Sequence, residues 1–348
     1  MSKIAVIGGG IAGSAAAVEL ARAGNQVTII EKENKLGGNL KDYGCKAVDV
    51  CTKCNLCLVD DLFSETTESA GIEILYQTRV NDFKRNPGSY SLGIEREGRF
   101  QRIDGLDYIV LATGFTRWSD LETGTPEVSQ DKRIIWASEL EGLMKKRKDH
   151  LETEDPLALG YKPESVVFIQ CNGSRSIQEK ARYCSRVCCG YSYRMARVLK
   201  YFFPEIKITI FFMDLQEGGY LQDISFTNLE EAGINYLNCK PVRVEGKDDG
   251  LRIIYEDQRK GAVEELLTQL LVLSEGIHPN QDNEHWSMLF NLQLDDHGFL
   301  SSIEDELKTG IFLAGTIKGP KDIAATISDG RNVAYKIINQ QKLQPAVR

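Results

Sequence analysis

Three features of this 348-residue sequence predict an α/β protein of two parallel-sheet domains, the second inserted into the first. One is a strand, a glycine-rich turn, a helix and a second strand ending on an acid, all within Lys3–Glu31. Another is a repeat of strand-like segments at an offset of 162 residues. The third is the stretch from about 279 to the end, which returns to complete the first domain.

The opening unit reads in order. Lys3 to Ile7 is a short buried strand, Ser14 to Ala23 a helix, and Gln26 to Ile30 a strand ending at Glu31. Gly8-Gly9-Gly10-Ile11-Ala12-Gly13 joins the first strand to the helix. A bare G-x-G-x-x-G is weak, but here it follows a strand, opens a helix and has an acid about 20 positions on, the fingerprint of a Rossmann unit. Gly8 permits the tight turn, Gly10 lets the backbone approach a pyrophosphate, and Gly13 lets helix and strand pack closely. The helix N-terminus offers N–H groups to the phosphates, and Glu31 would accept ribose hydroxyls. The plain alternative is a glycine-rich turn with no ligand.

In the repeat, Ile4-Ala5-Val6-Ile7 aligns with Val166-Val167-Phe168-Ile169, and Ala70-Gly71-Ile72 with Ala232-Gly233-Ile234. Ala112-Thr113-Gly114 aligns with Ser274-Glu275-Gly276. This divides the chain into a first domain at 1–117 and 279–348, a linker at 118–162 and an inserted Rossmann-like domain at 163–278. The second copy departs from the first at its loop, Gln170-Cys171-Asn172-Gly173-Ser174-Arg175. Gln170 and Asn172 stand where Gly8 and Gly10 stand, so close phosphate approach is lost and NAD(P)H is not expected to bind. Cys184, Cys188 and Cys189 follow, expected at the start of the next helix, before a strand from Ile206 to Met213.

Nine cysteines fall in groups: Cys45, Cys51, Cys54 and Cys57; then Cys171, Cys184, Cys188 and Cys189; with Cys239 alone, read as a small core residue. Grouping points to metal or redox work more than to a disulfide framework. Four thiolates match a [4Fe–4S] cluster, one per iron. Adjacent ligands are unusual for zinc, yet spacing alone leaves a cluster, zinc and buried or redox thiols all open. The first group could ligate a second cluster, act as redox or interface thiols, or be inert. The four histidines, His150, His278, His285 and His297, show no ligand or catalytic spacing, and most are expected at the surface.

Forty-two basic against 50 acidic residues give a net charge of −8, which disfavours nucleic acid or an anionic membrane as partner. Lys145-Lys146-Arg147-Lys148 reads as a solvated helix end or a docking patch. The uncharged run from Ile4 to Val18 is explained by the glycine loop and not by a secretory signal, and no run is long enough to cross a bilayer. A cytoplasmic protein without direct membrane insertion is expected.

Gly37-Gly38-Asn39-Leu40, the strand from Tyr108 into Ala112-Thr113-Gly114, and Gly310 to Thr316 together resemble the two-dinucleotide-binding flavoproteins, which are thioredoxin-reductase-like. The resemblance implies FAD as cofactor. Its contacts would come from Gly8, Gly10, Ile11, Ala12, Gly13, Glu31, Lys32, Gly38, Asn39, Leu40, Val80, Ala112, Thr113, Gly114, Gly315 and Thr316. Thr316 stands where the family often has Asp, so its hydroxyl or N–H would replace that contact.

Cys171-x12-Cys184-x3-Cys188-Cys189, with Gly173-Ser174-Arg175 and Tyr183 to Val187 around it, resembles the A subunit of heterodisulfide reductase. Gly319-Pro320-Lys321-Asp322-Ile323 is similar to a second hallmark of that family, and the match runs from residue 1 to about 338. The resemblance implies a [4Fe–4S] cluster on Cys171, Cys184, Cys188 and Cys189. It also implies flavin contacts from Lys321, Asp322 and Ile323, although Lys321 could simply start a surface helix. The function implied is that of an oxidoreductase subunit passing electrons between FAD and the cluster, with B- and C-like partner subunits and a homodimer when isolated. No C-x2-C-x2-C-x3-C-P occurs, so the chain looks like the short A-type subunits of heterodisulfide reductase-like complexes in sulfur-oxidising bacteria. It is more distantly similar to the A subunit of the quinone-interacting membrane-bound oxidoreductase. A free-standing NAD(P)H-dependent disulfide reductase and a non-enzymatic FAD scaffold are the rival readings.

Overall fold

The computed structural model describes residues 1–49, 51–121, 131–146, 157, 159–216, 232–302 and 305–343. They form two compact units. One comprises Met1–Lys41, Asn55–Thr116 and Pro279–Arg348, the other Asp42–Cys54 and Arg117–His278.

In the first unit five parallel strands lie in the order Ile311–Leu313, Tyr108–Leu111, Lys3–Ile7, Gln26–Ile30, Ile72–Leu75. Their runs are almost wholly apolar because both faces of the sheet are covered. Along one strand, Ile4 and Val6 pack with Ala12, Ala16 and Leu20 of the helix Ile11–Arg22, while Ala5 and Ile7 pack with Val80, Leu92 and Ile94. The latter three come from an antiparallel meander, Thr78–Asn86, Ser89–Arg96 and Arg99–Leu106. Alanines on the first helix admit the long helix Ile323–Leu343, and a Cβ on Gly330 would collide with the Ala12 carbonyl.

The second unit repeats the order with Ile134–Trp136, Leu270–Glu275, Ser165–Asn172, Lys207–Phe212 and Ile234–Asn238, all parallel. It repeats the meander with Pro241–Lys247, Gly250–Asp257 and Ala262–Thr268. Lys3 and Ser165, Ile72 and Ile234, and Tyr108 and Leu270, each pair 162 apart, begin equivalent strands.

Two expectations need correction. The segment 118–162 is not only a linker: Ile134–Trp136 joins the second sheet beside Leu271–Leu273, and the helix Ala137–Lys146 sends Leu140 and Met144 into the core. The apolar triplet is stabilised by a partner strand far away in sequence. Asp42–Cys54, assigned by sequence to the first domain, packs in the second, with Val48 against its core. Of the basic run, Lys145 and Lys146 end a helix, while Arg147, Lys148 and His150 lie outside the described residues. Among the described residues no helix is long and apolar enough to cross a membrane.

Candidate functional site

In the first unit, Gly8 has φ +105°, and a Cβ there would lie 2.5 Å from the Ala112 carbonyl oxygen. A Cβ on Gly13 would strike the Gly8 carbonyl. Gly10 differs, because nothing lies within 4 Å of a Cβ built on it. The fold itself demands Gly8 and Gly13, whereas the space at Gly10 is left for something else. The helix that starts here has no side-chain cap and no acid in its first turn, so its first N–H groups suit an anion. The hydroxyls of Ser14 and Thr113, shielded from solvent, have no hydrogen-bond partner in the protein. These features fit a dinucleotide.

The surrounding candidates divide into those beside this loop and those committed elsewhere. Gly37 N–H donates to Gly9 O at 3.1 Å, and Gly38, at φ +53°, lies next to Gly10. Leu40 N–H donates to Gly37 O, and Asn39 Nδ2 to Phe115 O at 2.9 Å. A Cβ on Gly114, at φ +78°, would also meet open space. Glu31, only 5% exposed, accepts N–H groups from Gly9 at 2.7 Å and Glu33 at 2.8 Å. Its carboxylate therefore holds the turn. Lys32 lies 3.7 Å from Asp282, and Val80 is buried in the core.

Around the C-terminal motif, Gly315 N–H donates to Asp329 Oδ2 at 2.7 Å, and Thr316 is buried. Lys321 Nζ donates to Gly315 O at 3.0 Å and lies 4.0 Å from Asp329. Asp322 Oδ1 accepts the Ala325 N–H at 2.7 Å, so it caps the helix that begins at Ile323. Sequence reasoning missed Asp329, which orders Gly315, Lys318 and Lys321 from one carboxylate. Its only signal was an acid on the helix that follows the motif.

In the second unit the strand Ser165–Asn172 and the helix Cys188–Phe202 are joined by Gly173–Val187, where the first unit has only Gly8–Gly10. Cys171 is buried at the strand end with φ +61°. Cys188 and Cys189 open the helix and are buried, and Cys184 is half-buried in the loop. Cys184 was expected on the helix. It stays off because Arg186 takes φ +63°, a left-handed turn that a helix cannot contain.

The end of the neighbouring strand organises this loop. Gly276 N–H donates to Asn172 O at 2.8 Å, Ile277 N–H to Ser185 Oγ at 2.9 Å, and Tyr183 OH to Ile277 O at 2.9 Å. Glu275 O accepts the Tyr191 hydroxyl at 2.8 Å and the Cys188 thiol at 3.9 Å. The Glu275 side chain accepts N–H groups of Ala137 and Ser138, each at 3.0 Å, and burial raises its pKa. His278 is buried, unlike the surface position expected of most histidines. Its Nε2 bonds the Gly173 carbonyl, and burial lowers its pKa. His285 is exposed and His297 half-buried.

Burial, with Cys189 next, pushes the Cys171 thiol up to about 11. Burial, then Cys171, Cys189 and Cys184, pushes Cys188 well above its ordinary range, and burial also raises Cys189. The protein alone thus favours neutral thiols, a preference that a bound cation reverses. Lys240 and Arg175 oppose the rise at Cys171, and Lys240 Nζ donates to Cys171 O at 3.3 Å. Among the described residues no three His, Cys, Asp or Glu side chains converge as a single-ion site. The donor set suits a cluster, which takes each thiolate on a different iron. The other group is more open: Cys45, Cys51 and Cys57 are exposed, while Cys54 is half-buried. Cys239 is half-buried against the second core.

Residues 6–52 match the NAD(P)-binding Rossmann-like domain family. The A subunit of the ferredoxin/F420H2-dependent CoB-CoM heterodisulfide reductase of Methanosarcina acetivorans is 23% identical over 96% of this chain and 52% of its own length. The iron-sulfur A subunit of the CoB–CoM heterodisulfide reductase of Methanocaldococcus jannaschii is 24% identical over 95% of this chain and 63% of its own. This chain thus spans between half and two thirds of these relatives. The thioredoxin reductase of T. acidophilum superposes with a TM-score of 0.59 at 18% identity, covering 98% of this chain and 100% of that one, which shows the shared fold. Relatives along nearly the whole chain thereby support the family that its cysteine and C-terminal motifs resemble, that of the heterodisulfide reductase A subunit.

Proposed function

We propose that this chain is an FAD- and [4Fe–4S]-binding electron-transfer subunit of a heterodisulfide reductase-like complex, acting in sulfur-compound oxidation in the cytoplasm. The observation that carries the reading is one sheet topology used twice, with an open glycine loop in one copy and, in the other, four cysteines on and beside the corresponding loop.

Gly8, Gly10, Gly13, Gly38 and Gly114 would line the FAD, with Glu31 toward the ribose and Thr316 and the start of the helix Ile323–Leu343 toward the ring. Cys171, Cys184, Cys188 and Cys189 would hold the cluster. When bound, FAD supplies a carrier of one or two electrons and the cluster a carrier of one. The residues do the rest. Burial of Cys171, Cys188 and Cys189 keeps water from the sulfurs, and Lys240 and Arg175 offset negative charge. Gln170 and Asn172 remove the second phosphate loop, so electrons enter and leave through B- and C-like partner subunits. Isolated, the chain forms a homodimer.

Anaerobic addition of NADH or NADPH to the purified flavoprotein tests this. No bleaching of the flavin band without a partner protein is expected. Fast bleaching would favour a free-standing NAD(P)H-dependent disulfide reductase.

A further inference from the structure

The run Glu275–His278 touches the backbone or side chains around three of the four cysteines. Its Gly276 N–H holds Asn172, next to Cys171; its Ile277 holds Tyr183 and Ser185, on either side of Cys184; and Glu275 O receives the Cys188 thiol. A Cβ on Gly276 would lie 2.7 Å from Ser185 Oγ and 3.2 Å from Asn172 O, so the run is wedged between the two arms of the loop.

The same run is locked from one side. Trp118 N–H donates to Gly276 O at 3.2 Å, and the Trp118 ring stands 4.6 Å from the His278 ring. That indole occupies the space a side chain at Gly173 would need, and Gly173 has φ +72°. The Gly173 carbonyl can only accept, so His278 Nε2 carries the proton of their bond. Indole packing and an imidazole N–H therefore pin the residue two places from Cys171 at once. Cys171 and Arg186 hold left-handed backbone conformations that side-chain-bearing residues avoid unless their surroundings impose them.

We infer that Glu275–His278, locked by Trp118, is a template that sets Cys171, Cys184 and Cys188 in place before iron arrives, with His278 and Trp118 as positioning residues. The inference rests on the cluster reading above. It adds that preorganisation of the thiols governs how firmly iron is held and in what electronic environment.

The test uses the full chain, purified anaerobically, with iron release to a chelator and the paramagnetic resonance spectrum of the reduced protein as readouts. His278→Leu removes the donor, and about tenfold faster iron release is expected, the equivalent of one buried hydrogen bond, with shifted or broadened resonance lines. His278→Gln keeps an N–H for the Gly173 carbonyl and should recover most of the wild-type rate and line shape. If His278→Leu matches the wild type in both readouts, or His278→Gln behaves like His278→Leu, the template idea is overturned. Should His278→Leu fail to fold, Ser185→Ala, which removes the acceptor of the Ile277 N–H, must loosen iron in the same sense or the inference falls. A wild-type chain that holds no iron would instead sink the cluster reading itself.

Discussion

The two units share a strand order and a meander, yet the strand-to-helix connections that leave their central strands are built on opposite principles. Gly8–Gly10 gets its shape from having no side chains: Gly8 must pass the Ala112 carbonyl, and Gly10 faces open space. Gly173–Val187 gets its shape from side chains held in costly places, with left-handed φ at Arg175, Lys180 and Arg186 and at Cys171 just before it. Both connections leave the carboxyl end of the sheet's central strand, where this architecture presents its ligands. The lesson is that one scaffold position can be specialised by subtraction or by constraint. The first kind of loop is damaged by adding an atom, the second by removing one.

The largest effect should come from removal in the second unit. Cys188→Ala is expected to take iron from about four per chain to near zero while flavin absorbance stays. Cys51→Ala, although Lys53 N–H donates to its sulfur at 3.4 Å much as Arg186 N–H donates to Cys184 at 3.2 Å, should leave both cofactors in place. Loss of iron in Cys51→Ala would show that the wrong cysteine group has been assigned.

Addition in the first unit comes next. Gly10→Ala should weaken flavin binding about a hundredfold while the melting temperature of the cofactor-free protein stays put, because no protein atom lies within 4 Å of the added Cβ. Gly13→Ala meets backbone instead and should destabilise the cofactor-free fold by about 3 kcal/mol. Equal melting temperatures for the two variants would erase the distinction between them.

A mixed case sharpens it further. Gly173→Ala adds an atom to the constrained loop, against Trp118 and at φ +72°, and a loss of about 2 kcal/mol in urea unfolding is expected.

The smallest effect concerns pH. Burial lowers the His278 pKa below its ordinary 6.5, so the unfolded chain binds the proton first. The stability held by the neutral ring is complete above 6.5 and is lost as pH falls below it. Glu275, raised by burial, works in the opposite sense, its contribution growing as pH falls toward the ordinary carboxylate range. Comparing urea midpoints of wild type and His278→Gln at neutral and mildly acidic pH isolates the histidine. Parallel pH profiles for the two proteins would remove it.

What could be read from sequence follows from how local each signal is. The unit Gly8–Glu31 carries its whole pattern within one strand, turn, helix and strand, and the repeat is visible because equivalent strands keep one spacing. The strand Ile134–Trp136 was hidden because three apolar residues have no period of their own and exist as a strand only beside Leu271–Leu273. The docking of Asp42–Cys54 depends on tertiary pairs, such as the buried Lys46–Glu141 ion pair and the Arg194 to Thr52 O bond of 3.0 Å. His278 carried no signal in the sequence for the same reason: its partners, Trp118 and Gly173, are distant in sequence.

The closing strands of the two sheets enter the chain at opposite ends. Ile134–Trp136 precedes every other strand of its sheet, whereas Ile311–Leu313 follows everything in the second unit before it can join Tyr108–Leu111. On the ribosome the second unit has all its strands once His278 has emerged. The first unit must keep its early strands waiting for a partner some two hundred residues away, together with the helix that sets Gly330 against Ala12. Closing so long a loop is slow, and domains fold as units during synthesis. If the two units hold the cofactors proposed above, the order of the strands imposes an order of maturation, iron before flavin. A stalled nascent chain exposed only as far as His278 would take up iron and no FAD.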